Sequence, residues 1–249
     1  MFTNSTTDFN RALSLKQRKA RQESGLFLAE GRKVVAEGLE AGCPCRAVYV
    51  REGFFGQHEE TDALLSAANT LVLGEREFNR LADTEQPQGL IGVFEWSGLL
   101  CSSLTARFVP VLFDVADPRN LGNIVRSADW FGFSEIVVGE TCVDPFNGKA
   151  VRSSMGSIFR TRFVLSDDLV ASLTALKERY RIVVADLDGE DYRAFKTGAT
   201  AAIVFSNEAR GPSPEILALA DAIATIPGAG RAESLSVATA AAVMFAALF

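Results

Sequence analysis

The sequence is poor in the two residue types that most often build metal and redox sites. Its 249 residues include one histidine, His58, and four cysteines. A single histidine argues against a Ser-His-Asp triad and excludes a metal site made of several histidines. The cysteines, Cys43, Cys45, Cys101 and Cys142, match neither a C-x-x-C nor a zinc spacing, which favours free thiols in a reducing compartment. We therefore expect no bound metal.

The sequence also lacks a long hydrophobic run. Its most apolar stretch, residues 235–249, is shorter than the ~20 residues that a membrane-spanning helix needs. The N-terminal residues contain no apolar segment of the kind found in secretory signals. We expect a cytoplasmic protein that makes no contact with a membrane.

A strongly positive surface is missing as well, because the formal net charge is −6. This balance argues against nonspecific binding of nucleic acid by the whole surface. Residues 11–21 are the exception, with five basic side chains and no acidic one. Such a segment is typical of a solvated helix face and also of an RNA-binding surface. The RNA-binding candidates in it are Lys16, Arg18, Lys19 and Arg21.

What the sequence does have is enough apolar material for a buried core, at 48% hydrophobic residues. Residues 1–96 predict a small α/β unit, whose RNA-binding segment is a basic helix over about residues 11–22. The polar and small residues 97–108 predict a linker. Residues 109–249 alternate buried-strand runs with helical stretches, which predicts a mostly parallel sheet covered on both faces. The predicted fold class is therefore α/β in both parts.

In open α/β sheets, ligands bind beyond the carboxyl ends of the strands, so a site is expected in the turns there. The first such turn follows the strand-like residues 110–117 and passes through Pro118 and Arg119 into a helical run with Asn120, Gly122 and Arg126. Asn120 is a candidate helix N-cap or backbone clamp, and Gly122 allows close approach of another group. Arg126 lies off the apolar stripe of this helix, so it is available for chemistry or for solvent.

Two further turns carry polar or flexible residues. One predicted strand runs into Asn207, Glu208 and Gly211, within residues 203–213. Another ends in an Ile-Pro pair, and a Gly-rich loop and an Ala-rich helix follow it within residues 222–242. Neither turn has the spacing of a P-loop or of a G-x-G-x-x-G nucleotide fingerprint. Such a Gly-rich loop is suited to enclose an uncharged part of a cofactor with its backbone groups.

Taken in order, the three turns read N-x-G-x-x-x-R, N-E-x-x-G and I-P-x-x-G-x-x-x-S-L. This set resembles the three motifs of the SpoU family of RNA ribose methyltransferases, also called the TrmH family, within the SPOUT class. Residues 15–42 and 81–95 are similar to the substrate-binding domain that is joined to many ribosomal-RNA members. The resemblance therefore spans nearly the whole chain.

The resemblance implies transfer of a methyl group from S-adenosylmethionine to a ribose 2′-hydroxyl of RNA. It also implies a C-terminal trefoil knot that holds the cofactor, and a homodimer formed through the catalytic domain. Arg126 would be the catalytic residue, with Asn120 and Glu208 beside it. The residues that would contact the cofactor or shape its loops are Ser206, Asn207, Gly211, Ile226, Pro227, Gly230, Ser234 and Leu235. Arg152, in a basic segment over residues 149–160, is a further candidate for contact with RNA.

The reaction needs a ribose oxygen that is aligned with the methyl group and has lost its proton. A guanidinium is not deprotonated in proteins, so we expect Arg126 to stabilise the developing alkoxide or to orient an RNA phosphate. Two residues depart from the family pattern, with Ser206 in place of the usual Gly and Ser236 in place of the usual Asn. Arg210, inside the second motif, is either an extra RNA contact or a surface residue.

Ribosomal RNA is the leading substrate, because the added N-terminal part is typical of ribosomal-RNA members. A transfer-RNA ribose methyltransferase is the nearest alternative. A noncatalytic RNA-binding or assembly protein of the same fold is a second alternative, which Ser236 keeps open. A dinucleotide-binding α/β enzyme is a third, although its G-x-G-x-x-G fingerprint is missing.

Overall fold

The computed structural model describes residues 2–3, 5–56, 59–195 and 200–248. His58 lies outside the described residues. Two compact units make up the chain, and each of them draws on two separate stretches of sequence. Unit 1 comprises Met1–Leu99 and Asp144–Arg160, and unit 2 comprises Leu100–Val143 and Thr161–Phe249.

The N-terminal stretch of unit 1 is an α/β structure built on a mixed sheet. Its elements are α1 (Thr6–Ser14), α2 (Arg18–Ser24), β1 (Leu26–Glu30), α3 (Arg32–Glu40), β2 (Cys45–Arg51), α4 (Glu59–Ser66), β3 (Thr70–Leu73), α5 (Glu75–Leu81) and β4 (Leu90–Glu95). The strand order is β1-β4-β2-β3, in which β4 runs antiparallel to both of its neighbours and β2 runs parallel to β3. The predicted small α/β unit is thus present.

The rest of the chain alternates strands and helices as predicted. Its elements are β5 (Phe108–Phe113), α6 (Pro118–Trp130), β6 (Glu135–Val138), α7 (Gly148–Ser153), β7 (Arg162–Leu165), α8 (Leu169–Leu176), β8 (Arg181–Asp191), β9 (Ala201–Ser206), α9 (Pro214–Leu219), β10 (Ala222–Thr225) and α10 (Val237–Leu248). The strands form one sheet in the order β10-β8-β9-β5-β6-β7, and every pairing in it is parallel. The predicted mostly parallel α/β fold is confirmed, whereas the trefoil knot stays a prediction.

The sheet of unit 2 determines where the three motif turns lie. The turns follow β5, β9 and β10, whose carboxyl ends all point to the same edge because the strands are parallel. Strands β5, β6 and β9 are buried over most of their length, and apolar side chains of the sheet, among them Val111, Val184 and Val204, form a core with α8 and α9. No helix within the described ranges is long and apolar enough to cross a membrane.

The basic segment is two helices rather than the single helix predicted over about residues 11–22. The first helix, α1, ends at Ser14, and α2 begins at Arg18 after an extended Gln17. The break leaves backbone carbonyl groups without helical partners. Arg21 satisfies two of them, because its Nη1 donates to Leu15 O at 2.9 Å and to Lys16 O at 3.0 Å. The sequence pattern did not predict this break, because the pattern shows the charges but not their partners.

Arg21 is buried in unit 1 and is not part of an exposed basic face. Only 2% of the residue is exposed, and its Nε and Nη2 lie 2.7 Å and 2.6 Å from Asp144 Oδ2. Asp144 is buried too, and it belongs to the second stretch of unit 1. A buried charge is tolerated when it is paired and hydrogen-bonded, as both of these are.

The second stretch, Asp144–Arg160, also packs on the first stretch of unit 1 through aromatic rings. The ring of Phe146 lies 5.1 Å from that of Phe27, and the ring of Phe159 lies 4.8 Å from that of Phe94. The predicted division of the chain assigned this stretch to the C-terminal part. Its ring and ion-pair contacts explain why the structure groups it with unit 1 instead.

Replacing Arg21 with alanine is expected to lower the free energy of unfolding by about 3–5 kcal/mol, because Asp144 would be left buried without a partner. Urea denaturation followed by circular dichroism measures this change. The matched control is Arg18→Ala, at an exposed position of the same helix. That change is expected to alter stability by no more than about 0.5 kcal/mol. Equal, small effects of the two changes would contradict the structural role of Arg21.

Candidate active site and cofactor cavity

The helix of the first motif begins three residues earlier than an N-cap at Asn120 would require. Its N-cap is Asp117, whose Oδ1 accepts a hydrogen bond from the N–H of Arg119 at 2.8 Å, and Pro118 is its first residue. The N-cap prediction for Asn120 is therefore wrong. Proline at the first helical position explains the earlier start, because its fixed φ suits a helix and its missing N–H costs nothing there.

Asn120 instead contributes its side chain to a junction of the three motifs. Its Nδ2 donates to Glu208 Oε1 at 2.7 Å. The same oxygen accepts the backbone N–H of Val237, the first residue of α10, at 2.9 Å. One carboxylate of the second motif is thus bonded both to the first motif and to the start of the helix that follows the third. A negative charge at a helix N-terminus is also favoured by the helix dipole.

The start of α10 is completed by Ser236. The Oγ of Ser236 accepts the backbone N–H of Thr239 at 3.2 Å and lies 2.9 Å from the hydroxyl oxygen of Thr239. Together with Glu208, this serine occupies two of the N–H groups that a helix start leaves unpaired. Further along α10, the ring of Phe245 lies 4.7 Å from that of Phe133 and 5.6 Å from that of Phe205.

The turn of the second motif is closed by Asn207. Its Oδ1 accepts the N–H of Ala209 at 2.9 Å and that of Arg210 at 3.3 Å, while its carbonyl oxygen accepts the N–H of Gly211 at 2.9 Å. Its Nδ2 donates to the carbonyl oxygen of Asp114 at 3.1 Å. Gly211 has a φ of +67°, a left-handed conformation that glycine adopts without strain. These bonds fix the turn against the end of β5.

A cavity of about 510 Å³ lies beside this junction in unit 2. All eight residues predicted to contact the cofactor or shape its loops line it, namely Ser206, Asn207, Gly211, Ile226, Pro227, Gly230, Ser234 and Leu235. Glu208 lines it as well. The sequence reasoning missed other lining residues, among them Asp186, Thr225, Glu233, Ala240 and Met244. Asp186 and Met244 lie outside the three motifs, so no motif spacing could have indicated them.

Arg126 is placed apart from this cavity. It is exposed on α6, and it is not among the described residues that line the cavity. At about 100° per residue, six positions turn its side chain roughly 120° away from that of Asn120 around the helix. Within the described ranges, no ion pair of Arg126 is formed. The structure therefore joins Asn120 to Glu208 but does not bring Arg126 to them within one chain.

The basic candidates of unit 1 differ in how far their charges are available. Lys16 donates from Nζ to two backbone oxygens, those of Arg80 at 2.8 Å and Ala82 at 2.7 Å. Arg18 is exposed, and Lys19 is exposed with a distant ion pair to Glu23 at 3.8 Å. These two positions on α2 carry the most accessible positive charge of the predicted set.

Arg152 is held by carboxylates of unit 1. Its Nη1 lies 3.4 Å from Glu30 Oε2, and its Nη2 lies 3.1 Å from Asp83 Oδ2. Glu30 is buried, and it also accepts the backbone N–H of Asp83 at 2.8 Å. Arg152 therefore neutralises a buried carboxylate. The charge of this arginine was predictable from the sequence, but its partner, 122 residues away, was not.

The two departures from the family pattern are both accommodated. Among the described residues other than glycine, only Asp114 and Met155 have a positive φ, so the backbone at Ser206 does not require glycine. Ser236 acts as a helix cap.

No cluster of histidine, cysteine, aspartate or glutamate in the described part of the chain is arranged to hold a metal. Burial raises the pKa of the Cys142 thiol to about 11, which keeps it unreactive near neutral pH.

Replacing Glu208 with alanine is expected to lower the free energy of unfolding by about 1–2 kcal/mol, because two donors lose their shared acceptor. The change Glu208→Gln keeps an acceptor oxygen, so it is expected to cost less. Glu233→Ala is the matched control, since Glu233 is an exposed carboxylate on the same cavity. Chemical denaturation measures all three variants, and equal losses in Glu208→Ala and Glu233→Ala would contradict the junction.

Comparisons with known proteins match both parts of the chain. The model of the SpoU rRNA Methylase family matches residues 107–246, and that of the MRM3-like substrate binding domain matches residues 10–92. The chain is 31% identical over 232 residues to the 23S rRNA (guanosine(2553)-2′-O)-methyltransferase RlmP of Bacillus subtilis (strain 168). That alignment covers 92% of this chain and 91% of the relative.

Two solved structures are similar over almost their full lengths. An AdoMet-bound rRNA methyltransferase from Sinorhizobium meliloti is 28% identical, with a TM-score of 0.81 and coverage of 100% of this chain and 96% of the other. The SpoU methyltransferase AviRb from Streptomyces viridochromogenes, in complex with AdoMet, is 26% identical, with a TM-score of 0.86 and coverage of 98% and 97%. The predicted family and its cofactor class are confirmed. The chain belongs to the SpoU rRNA methylase family.

Proposed function

We propose that this protein transfers a methyl group from S-adenosylmethionine to a ribose 2′-hydroxyl of ribosomal RNA. The observation that carries the proposal is the cavity of about 510 Å³, which gathers residues of the second and third motifs beside the Glu208 junction. The substrate assignment is supported by the match of residues 10–92 to a substrate-binding domain and by relatives that act on 23S rRNA. We also propose that the protein is cytoplasmic.

The residues around the cavity fit S-adenosylmethionine. The cavity volume lies in the range of about 300–1,000 Å³ that is typical of small-molecule sites. Apolar side chains, including Leu235 and Met244, suit an adenine ring, and the loop with Gly228 and Gly230 offers backbone groups. Three carboxylates, those of Asp186, Glu208 and Glu233, line it and favour a positively charged ligand. S-adenosylmethionine supplies such a charge on its sulfonium, together with the methyl group.

Within this site the chain would act mainly by positioning. Asn120 and the N-terminus of α10 hold Glu208, so the loops on either side keep one shape before the substrates arrive. Arg126 would stabilise negative charge that develops on the ribose oxygen, or would orient the adjoining phosphate, while it remains protonated itself. A fixed cation that faces the reacting oxygen lowers the barrier without rearrangement during the reaction.

The position of Arg126 supports a homodimer formed through unit 2. In one chain Arg126 lies on a different side of α6 from Asn120 and outside the cavity. In the proposed dimer the cavity of one protomer faces α6 of its partner, so that the partner's Arg126 completes the site. The knotted topology and this dimer are proposed together, and they rest on the family resemblance.

The proposed RNA surface of unit 1 is narrower than the basic segment first indicated. Arg18 and Lys19 carry it, because their charged groups are exposed. Lys16 and Arg152 are bonded to other groups of unit 1, so contact with RNA would require those bonds to break. Arg21 is buried and is not part of the proposed RNA surface.

The function is tested by methyl transfer from labelled S-adenosylmethionine to ribosomal and transfer RNA in separate reactions, with the modified nucleotide then mapped. We expect a ribose methyl group at a ribosomal position. Methylation of transfer RNA alone would support the nearest alternative. Cofactor binding without transfer to either RNA would support a noncatalytic protein, and Ser236→Asn would then be the first change to make.

In the same assay, Arg126→Ala is expected to lower the rate of transfer by about 100-fold to 1,000-fold, because the charge that stabilises the alkoxide is gone. The affinity for S-adenosylmethionine, measured by calorimetry, should stay near that of the wild type. Arg119→Ala, which removes another exposed arginine of α6, is the matched control and should keep its activity. Loss of cofactor affinity together with activity would mean that Arg126 is structural.

Neutralising Arg18 and Lys19 together, as Arg18→Gln with Lys19→Gln, is expected to weaken binding to ribosomal RNA. The slope of log K against log salt should fall in magnitude by about 1.4–1.8, as for two lost phosphate contacts. The control is the double change Arg32→Gln with Lys33→Gln, which removes an equal exposed charge from α3. Equal losses in the two doubles would point to a general charge effect and not to a surface on α2.

A further inference from the structure

Arg210 is a basic residue inside the second motif, and its guanidinium has a carboxylate partner. Its Nη2 lies 2.6 Å from Asp114 Oδ2. Asp114 directly follows β5, and Arg210 lies in the turn after β9. These two strands are neighbours, and Phe113 pairs with Ser206 at their carboxyl ends. The ion pair therefore joins the turns that leave two adjacent strands.

The backbone of Asp114 shows why its side chain is well placed for this contact. Its φ is +54°, a left-handed conformation in which aspartate, asparagine and glycine are the favoured residues. The conformation alone therefore does not call for a carboxylate. The ion pair with Arg210 does require a carboxylate at this position. The side chain of Asp114 is 15% exposed, whereas that of Arg210 is 69% exposed. Asp114 is thus the largely buried partner, and Arg210 is the exposed partner that extends from the loop.

A second bond ties the same turns together, from Asn207 Nδ2 to the carbonyl oxygen of Asp114 at 3.1 Å. The loop over residues 207–211 is consequently anchored at Asn207 and again at Arg210. Glu208 lies between the two anchors, and every residue of this loop lines the cavity. Asp114 itself is not among the described residues that line it.

We propose that Asp114 and Arg210 form a positioning pair that holds the 207–211 loop in the shape that binds S-adenosylmethionine. Asp114 acts through Arg210, since Arg210 lines the cavity and Asp114 is not among its described lining residues. This role differs from both roles that the sequence left open for Arg210, an RNA contact or a surface residue, because the guanidinium here supports the loop of the cofactor cavity. The inference rests on the proposed function in one respect, that this cavity is the site of S-adenosylmethionine.

The test is calorimetric titration of S-adenosylmethionine into Arg210→Ala, Asp114→Asn and the double variant. Asparagine keeps the left-handed preference of position 114, so this change removes the ion pair with little effect on the backbone. Each single change is expected to raise the Kd about threefold to fivefold, as for an ion pair with one exposed partner. The double variant should bind no more weakly than either single variant, because the same interaction is lost in all three.

Two further readouts separate positioning from other roles. Arg210→Lys should recover part of the affinity, because lysine keeps the charge but not the planar fork. In Arg210→Ala and Asp114→Asn, the KM for S-adenosylmethionine should rise with the Kd, whereas the KM for RNA should stay within about twofold of the wild-type value. A merely structural loss would lower the melting temperature and kcat together.

Several outcomes would overturn the positioning pair. One is an unchanged Kd for S-adenosylmethionine in both single variants. Another is a double variant whose increase in Kd equals the product of the two single increases, because the two residues would then act independently. Weaker RNA binding by Arg210→Ala at an unchanged cofactor Kd would make Arg210 an RNA contact instead.

Blocking the cavity tests the premise separately. Ala240→Phe fills it from α10, and Gly230→Trp fills it from the loop, with thermal unfolding used to verify that each variant is folded. We expect both to abolish binding of S-adenosylmethionine. Undiminished binding in both would show that the cofactor lies elsewhere, so the proposed site would be wrong and the pair with it. Lost binding in both, with normal binding in Arg210→Ala and Asp114→Asn, would overturn the pair alone.

Discussion

One carboxylate oxygen holds together the three chain segments that form the candidate site. Glu208 Oε1 accepts from Asn120, 88 positions earlier in the chain, and from the N–H of Val237, 29 positions later. The two bonds together require α6, the turn after β9 and the start of α10 to be in place, so the junction depends on three separate segments of unit 2. The cavity depends in turn on the junction, because its lining loops leave from both sides of it.

The parallel sheet explains why the sequence could locate this site. Strands that all run the same way present their carboxyl ends at one edge, so polar turns that follow them in sequence become neighbours in space. The positions of Asn207, Glu208 and the Gly-rich loop were therefore predictable from strand-like runs and turn residues. Their hydrogen-bond partners were not, because a bond such as that from Asn207 to Asp114 depends on the register between β5 and β9.

Unit 1 shows the opposite case. Its basic residues are evident in the sequence, but the partners that bind their charges are not. Residues 11–21 have five positive charges, yet Arg21 is buried against Asp144 and Lys16 donates to backbone oxygens. The charge pattern of a helix cannot indicate that Arg21 pairs with Asp144, a carboxylate 123 positions later in the chain. The same holds for the stretch Asp144–Arg160, whose phenylalanines belong to the core of unit 1 although its sequence lies between two strands of unit 2.

The serine at position 236 is best understood from the start of α10. Serine and asparagine are about equally good helix N-caps, since each offers a short side-chain oxygen to the N–H two or three residues ahead. Ser236 makes this bond to Thr239, and so α10 still begins at Val237. Because the N–H of Val237 is one of the two donors to Glu208, the substitution preserves the junction on which the cavity depends. What differs from the family pattern is therefore the chemistry that a hydroxyl in place of an amide offers to the substrate, and not the architecture of the site.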